Sequence, residues 1–233
     1  MRALIINADD FGYSDPITRG VLDAHDYGIV TATSMMVNTP GAREAVRLAA
    51  YHPRLALGLH VNFTNENDHL LEFYDPSICR KELRRQFDEF LALTGKLPTH
   101  IDSHKHVHRA SSCAPVFLEL ALEHGIPLRD QPPVNYKGGF YAQWEYGVPD
   151  PSKVSVEALS RLIREEMSEG VFELACHPGY FTPDSDCVYN QDRELEMRTL
   201  TDPKIRDIID EQGIRLISFR DLQDVLRELP RGV

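Results

Sequence analysis

Along this chain, short apolar runs rich in β-branched residues alternate with longer segments whose apolar residues recur at helical spacing. No other feature constrains the fold as much. "ALIINAD" (3–9), "IVTATSMMV" (29–37), "LALGLHVNF" (55–63), "HIDSHKHV" (100–107), "IPLR" (126–129), "VFELACH" (171–177) and "IRLISF" (214–219) read as strands. Between and after them, helical periodicity covers about 16–28, 41–52, 75–95, 114–125, 154–169, 191–212 and 220–228, with Gly28 and Gly125 as stops.

Strands that alternate with helices imply right-handed crossovers and a parallel sheet. About seven such units in 233 residues favour a (β/α) barrel, complete or imperfect, over a doubly wound sheet. The expectation is one domain over 1–233. The segment 130–153, rich in Pro, Gly and aromatics and carrying the only tryptophan, Trp144, breaks the rhythm. It reads as a long active-site loop or insertion.

Four of these strands finish in acids or imidazoles. The first ends in Asn7, Asp9 and Asp10, the third in His60, Asn62 and Thr64, the fourth in Asp102, His104, His106 and His108, and the strand at 171–177 in His177. In a parallel barrel the C-terminal strand ends meet at one mouth, where polar side chains serve chemistry. Clustered carboxylates and imidazoles are costly to bury without a metal or a proton relay. The strict alternation of "HIDSHKHVH" (100–108) puts His100, Asp102, His104, His106 and His108 on one side of an extended strand. Imidazole and carboxylate donors without a thiolate suit zinc or another divalent first-row ion, and three protein ligands leave room for water and substrate. If one of the adjacent Asp9 and Asp10 binds the metal, the other is free to act as a general base.

The motifs "NADDFGYS" (7–14), "GIVTATSMMVN" (28–38), "LGLHVNFT" (57–64), "PTHIDSHKHVH" (98–108) and "ACHPGY" (175–180) resemble those of the YdjC-like carbohydrate deacetylases, in the family's order and over most of the chain. The resemblance implies a TIM-barrel-like (β/α) fold, seven-stranded or distorted. It also implies hydrolysis of an N-acetyl group on a sugar with one divalent metal ion, magnesium or zinc first, manganese or cobalt next. By motif, Asp10, His60 and His104 fall on the metal ligands, Asp9 on the catalytic base and His177 on the general acid. Asp102, His106, His108, Arg129 and Trp144 are then expected to support the ligands or touch the substrate, and Tyr141 and Tyr146 to stack on a sugar ring.

Two rivals remain at this level. One is a metal-dependent phosphoesterase of the histidinol-phosphatase type, disfavoured because only Lys105, Arg109 and Arg129 offer positive charge near the mouth. The other is a non-catalytic sugar-binding protein, for which Asp9 and His177 would be superfluous. The net charge of −11 argues against nucleic acid and anionic membrane surfaces as partners. Cys79, Cys113, Cys176 and Cys187 form no Cys-x-x-Cys pair, and the apolar run near the N-terminus is only five residues long. The expectation is a cytoplasmic protein, with a homodimer as the default assembly.

Overall fold

In a computed structural model, described for residues 1–64, 71–72, 74–145, 147–183, 185 and 187–228, the expected rhythm becomes a parallel sheet curled into a half-barrel with helices around it. The chain runs β1 (Arg2–Phe11), α1 (Asp15–Asp26), β2 (Ala32–Met35), α2 (Ala42–Ala49), β3 (Ala56–Val61), α3 (Pro76–Thr94), β4 (Ile101–Ser103), a 3₁₀ segment (His104–Arg109) and α4 (Ala114–His124). It continues with β5 (Val134–Lys137), a hairpin of β6 (Gln143–Glu145) and β7 (Val148–Pro149), a short 3₁₀ turn (Pro151–Val154) and α5 (Val156–Glu166). Then follow β8 (Gly170–Cys176), α6 (Asp192–Leu200), α7 (Pro203–Glu211), β9 (Ile214–Leu216) and α8 (Leu222–Glu228).

The strand order is β4-β3-β2-β1-β8-β5, all parallel. β9 lies beside the first residues of β1, and β2 beside its last. Helix ends follow local chemistry. Ser14 caps α1 by accepting the Ile17 N–H, and Asp75 caps α3 by accepting the Ser77 N–H. Gly125 stops α4 in the left-handed conformation, at φ +64°.

Alternation along β1 divides the interior. Leu4, Ile6 and Ala8 join the large core against the helices, whereas Ala3 and Ile5 join Ala32, Ala56, Val134, Val171, Phe219, Leu222 and Val225 in a smaller cluster that floors the barrel lumen. Asn7 and Asp9 continue the Ala3–Ile5 face towards the C-terminal strand ends. The lumen is therefore apolar at the bottom and polar at the mouth.

Three expectations change. The segment 126–129 makes a single bridge, Leu128 beside Ile101, rather than a strand, since Pro127 has no N–H to offer a ladder. The segment expected as a loop or insertion at 130–153 contains β5, which pairs with β8 from Val134 to Lys137, and the β6–β7 hairpin. β4 ends at Ser103: Lys105 and His106 both take left-handed backbone, at φ +50° and +52°, so the alternation of the histidines stops there. Among the described residues no helix is long and apolar enough to cross a membrane.

Candidate active site

Asp9 and Asp10 reach the mouth together because the end of β1 bends. Asp10 sits at φ +67°, and the pairing with β2 shifts register between Ala8 and Phe11. The Asp10 carboxylate is the hub. Its Oδ1 lies 3.2 Å from His60 Nε2 and 3.1 Å from His104 Nδ1, and its Oδ2 accepts Arg193 Nη2–H at 2.6 Å. Burial alone would raise this carboxyl, yet Arg193 and the two imidazoles hold it well below the ordinary carboxylate value.

His60 is fixed from behind. Its Nδ1 lies 2.6 Å from Asp102 Oδ1 and 3.2 Å from Ser34 Oγ. Burial would lower its pKa, but Asp102 foremost, with Asp10 and Asp9, pushes it up to about 10. The pocket thus demands positive charge at the His60–Asp10 contact. A divalent cation meets that demand as well as a proton does. Asp10, His60 and His104 present one oxygen and two nitrogens within 4.8 Å of one another, from three different elements, and His60 Nε2 is buried with no hydrogen bond of its own. This donor set fits a metal ion, and the carboxylate behind His60 is the usual support for a ligating imidazole. A second grouping, Asp9, His60 and Asp102, fits less well. Both of its carboxylates already face Arg129, whose guanidinium would repel a cation.

Arg129 is buried at the centre of the lumen, 2 % exposed. Nη1 and Nη2 each donate to Asp9 at 2.7 Å, Nη2 also lies 2.7 Å from Asp102 Oδ2, and Nε donates to Glu173 Oε1 at 2.7 Å. Burial would raise the Asp9 carboxyl, but Arg129 overrides it and keeps Asp9 ionised. Asn7 Nδ2 donates to Asp9 Oδ1 at 2.8 Å. His177 faces Asp9 from β8, with Nε2 3.8 Å from Asp9 Oδ2. Its Nδ1 is 3.8 Å from Glu196 Oε1, and its backbone N–H donates to Glu196 Oε2 at 2.5 Å. Burial would lower His177, and the hydrogen-bonded Glu196 carboxylate more than reverses this. Above these groups opens a cavity of about 560 Å³, walled by Tyr136, Phe140, Tyr141 and Tyr189 as well as His104, His106, Lys105 and Arg109.

The other expected supporters part company. Asp102 stands behind His60, and Arg129 orients Asp9 without reaching the cavity. His106 lines the cavity, its Nε2 3.5 Å from the Tyr136 hydroxyl. His108 turns inward, with Nδ1 2.6 Å from Ser103 Oγ, and ties the 3₁₀ segment to the end of β4. His100 belongs to the floor, stacked on Phe219 at 3.9 Å, and burial pushes it down to about 3. Trp144 is off the site: it is 69 % exposed on the hairpin, with Lys153 Nζ 4.7 Å from its ring centre. Tyr141 does line the cavity; Tyr146 lies outside the described residues.

Sequence reading missed Arg193, Glu196 and Glu173. The first two look like surface charges of "DRELEMR", yet with Met197 and Leu200 they form the buried face of α6, at helical spacing. Glu173 is an acid inside an otherwise apolar strand, and that was its signal.

A curled parallel sheet with carboxylates and imidazoles gathered at its C-terminal mouth is a distorted (β/α) barrel. The fold recurs in a solved structure from Enterococcus faecalis V583, provisionally named a cellobiose-phosphate cleavage protein, with a TM-score of 0.79 and 28% identity over 95% of this chain and 98% of that one. Residues 3–211 match the YdjC-like protein family, and the chain belongs to that family. It is 32% identical to the carbohydrate deacetylase of Brevibacillus brevis (94% of this chain, 99% of the relative). It is 33% identical to the chitooligosaccharide deacetylase of Serratia marcescens (95% and 99%). Both relatives are hydrolases.

Proposed function

We propose that this protein is a metal-dependent hydrolase that removes an N-acetyl group from an acetylated amino sugar or short oligosaccharide. The observation that carries the reading is the convergence, at one end of one cavity, of the Asp10–His60–His104 donor set with Asp9 and His177. Asp10, His60 and His104 would hold the ion, and two nitrogens to one oxygen favour zinc, manganese or cobalt over magnesium. When bound, such an ion polarises an acetyl carbonyl and makes water a usable nucleophile near neutral pH.

The chain's own residues supply the proton transfers. Asp9, kept ionised by Arg129, accepts the proton of the attacking water. His177, kept protonated by Glu196, donates to the leaving amine and prevents its expulsion as an anion. Tyr136, Tyr141 and Tyr189 offer aromatic faces to a sugar ring. The phosphoesterase alternative draws less support. Arg129 and Arg193 are committed to carboxylates, and Arg109 pairs with Asp130 at 3.1 Å. No disulfide joins the four buried cysteines, which fits a reducing compartment such as the cytoplasm.

The experiment is acetate release from a panel of N-acetylated mono- and oligosaccharides by metal-stripped protein given zinc, manganese, cobalt or magnesium in turn. His104→Ala is expected to lose bound metal and activity together, and Asp9→Asn to keep metal but lose activity. Full activity in Asp9→Asn, or unchanged metal content in His104→Ala, overturns the respective role.

A further inference from the structure

Three carboxylates surround one guanidinium in the barrel lumen, and only one of them opens on the cavity. Asp9 lines the cavity; Asp102 and Glu173 do not. Glu173 stands in the middle of β8, level with Ile5 of β1 and Tyr136 of β5, and is fully buried. Its Oε1 accepts the Arg129 Nε–H at 2.7 Å, while its Oε2 is buried with no hydrogen-bond partner. An acid in a strand interior, with one oxygen committed and the other idle, is costly unless it does something for its partner.

That partner has a geometric problem. A guanidinium is a rigid planar fork, and its Nη edge meets a carboxylate bidentately only when the plane is held at one angle. Arg129 aims this edge at Asp9 while Asp102 draws Nη2 to one side. Only a third contact, at Nε, pins the plane. We propose that Glu173 is a positioning residue for deacetylation: by anchoring Nε it holds the Arg129 fork square on Asp9 without itself touching the substrate. The role rests on the reading that Asp9 takes the proton of the attacking water.

Charge adds a second consequence. One guanidinium carries too little charge to neutralise three buried carboxylates. Burial pushes Glu173 up to about 7, against the pull of Arg129 and with the help of Asp102 and Asp9; Tyr136 also faces this group from β5. Below neutral pH the anchor is a neutral acid, with its proton on Oε2. Above neutral it is a carboxylate, which offsets part of the Arg129 field and makes Asp9 a stronger base.

Two variants and two readouts test this in the zinc-loaded protein. Glu173→Met keeps the volume and removes the acceptor; Glu173→Gln keeps an acceptor and removes the titration. Glu173→Met is expected to lower kcat roughly ten- to a hundredfold with little change in KM, the usual scale for lost support of a site group. Glu173→Gln is expected to recover most of that loss and to lack the wild-type gain at alkaline pH. The second readout is the ¹⁵N resonance of the Arg129 Nε–H, assigned with Arg129→Lys. It should exchange slowly with water and titrate near neutral pH in the wild type, stay protected but not titrate in Glu173→Gln, and lose protection in Glu173→Met. Wild-type kcat in Glu173→Met, an equal loss in both variants, or a resonance that titrates identically in wild type and Glu173→Gln overturns the proposal. The last comparison holds even if Glu173→Met fails to fold. It also holds if no acetylated sugar is a substrate, in which case the deacetylase reading fails while the anchor is still decided.

Discussion

Replacing Arg129 by Met should unbalance the lumen in a way that depends on pH. The wild-type guanidinium is 2 % exposed and lies within 2.7 Å of oxygens of Asp9, Asp102 and Glu173. Methionine fills much of the space and leaves these carboxylates buried without their main counter-charge. Breaking a buried ion pair from one side costs about 3–5 kcal/mol. For a chain of this size that corresponds to a Tm lower by roughly 6–20 °C, at about 2–4 °C per kcal/mol.

The sign with pH follows from the carboxyls. In the wild type, the folded Asp9 and Asp102 titrate below their unfolded value of 3.8, so their contribution is present above about pH 4 and lost as pH falls further. In Arg129→Met, burial outweighs the remaining pull of His60 and His177 and raises the same groups, so the folded variant must take up protons that the unfolded chain releases. The deficit therefore grows as pH rises and is largest near pH 8. Scanning calorimetry of metal-stripped wild type and variant at pH 5 and pH 8 measures it. A deficit equal at the two pH values, or below about 1 kcal/mol at pH 8, refutes the picture of Arg129 as the main counter-charge of this cluster.

Glu196→Gln should let His177 lose its proton at lower pH, because the carboxylate that raises it is gone. The alkaline limb of kcat/KM should then move towards neutral, and an unmoved limb would separate Glu196 from the acid. Gly58→Ala should destabilise by about 1–3 kcal/mol, since a Cβ there would stand 2.3 Å from His100 Cε1 and the ring is backed by Phe219; thermal melts decide it. Trp144→Ala should leave kcat/KM on a short acetylated sugar within about twofold, as expected of an exposed side chain away from the cavity, and a tenfold loss would return Trp144 to the site.

The parts of the site that were legible in sequence are those delivered by strand ends. Asp9, Asp10, His60 and His177 finish largely apolar runs, and a parallel sheet brings such ends together whatever the details of packing. Period-two reasoning failed one residue beyond β4. It treated five polar groups as one face, but His104, just past the strand, meets Asp10, and left-handed backbone at Lys105 and His106 then sends His106 to the cavity wall and His108 back to Ser103. Tandem left-handed residues without glycine leave no mark in composition. The helix-borne charges were hidden for another reason. Arg193 and Glu196 share a helix face with Met197 and Leu200, and a charge at a buried position looks like any surface charge until its partner across the barrel, Asp10 or His177, is known.

Sequence alone therefore determined the order of strands and helices, the parallel sheet, and which strand ends carry acids and imidazoles. These properties depend on local periodicity and on the handedness of the chain, which act over a few residues at a time. Tertiary structure alone decided how the charges are shared. It gave Arg129 to three carboxylates, Arg193 to Asp10 and Glu196 to His177 across separations of up to 183 residues. In a buried lumen the protonation of each group is governed by its nearest opposite charges, and those neighbours are known only once the sheet has curled.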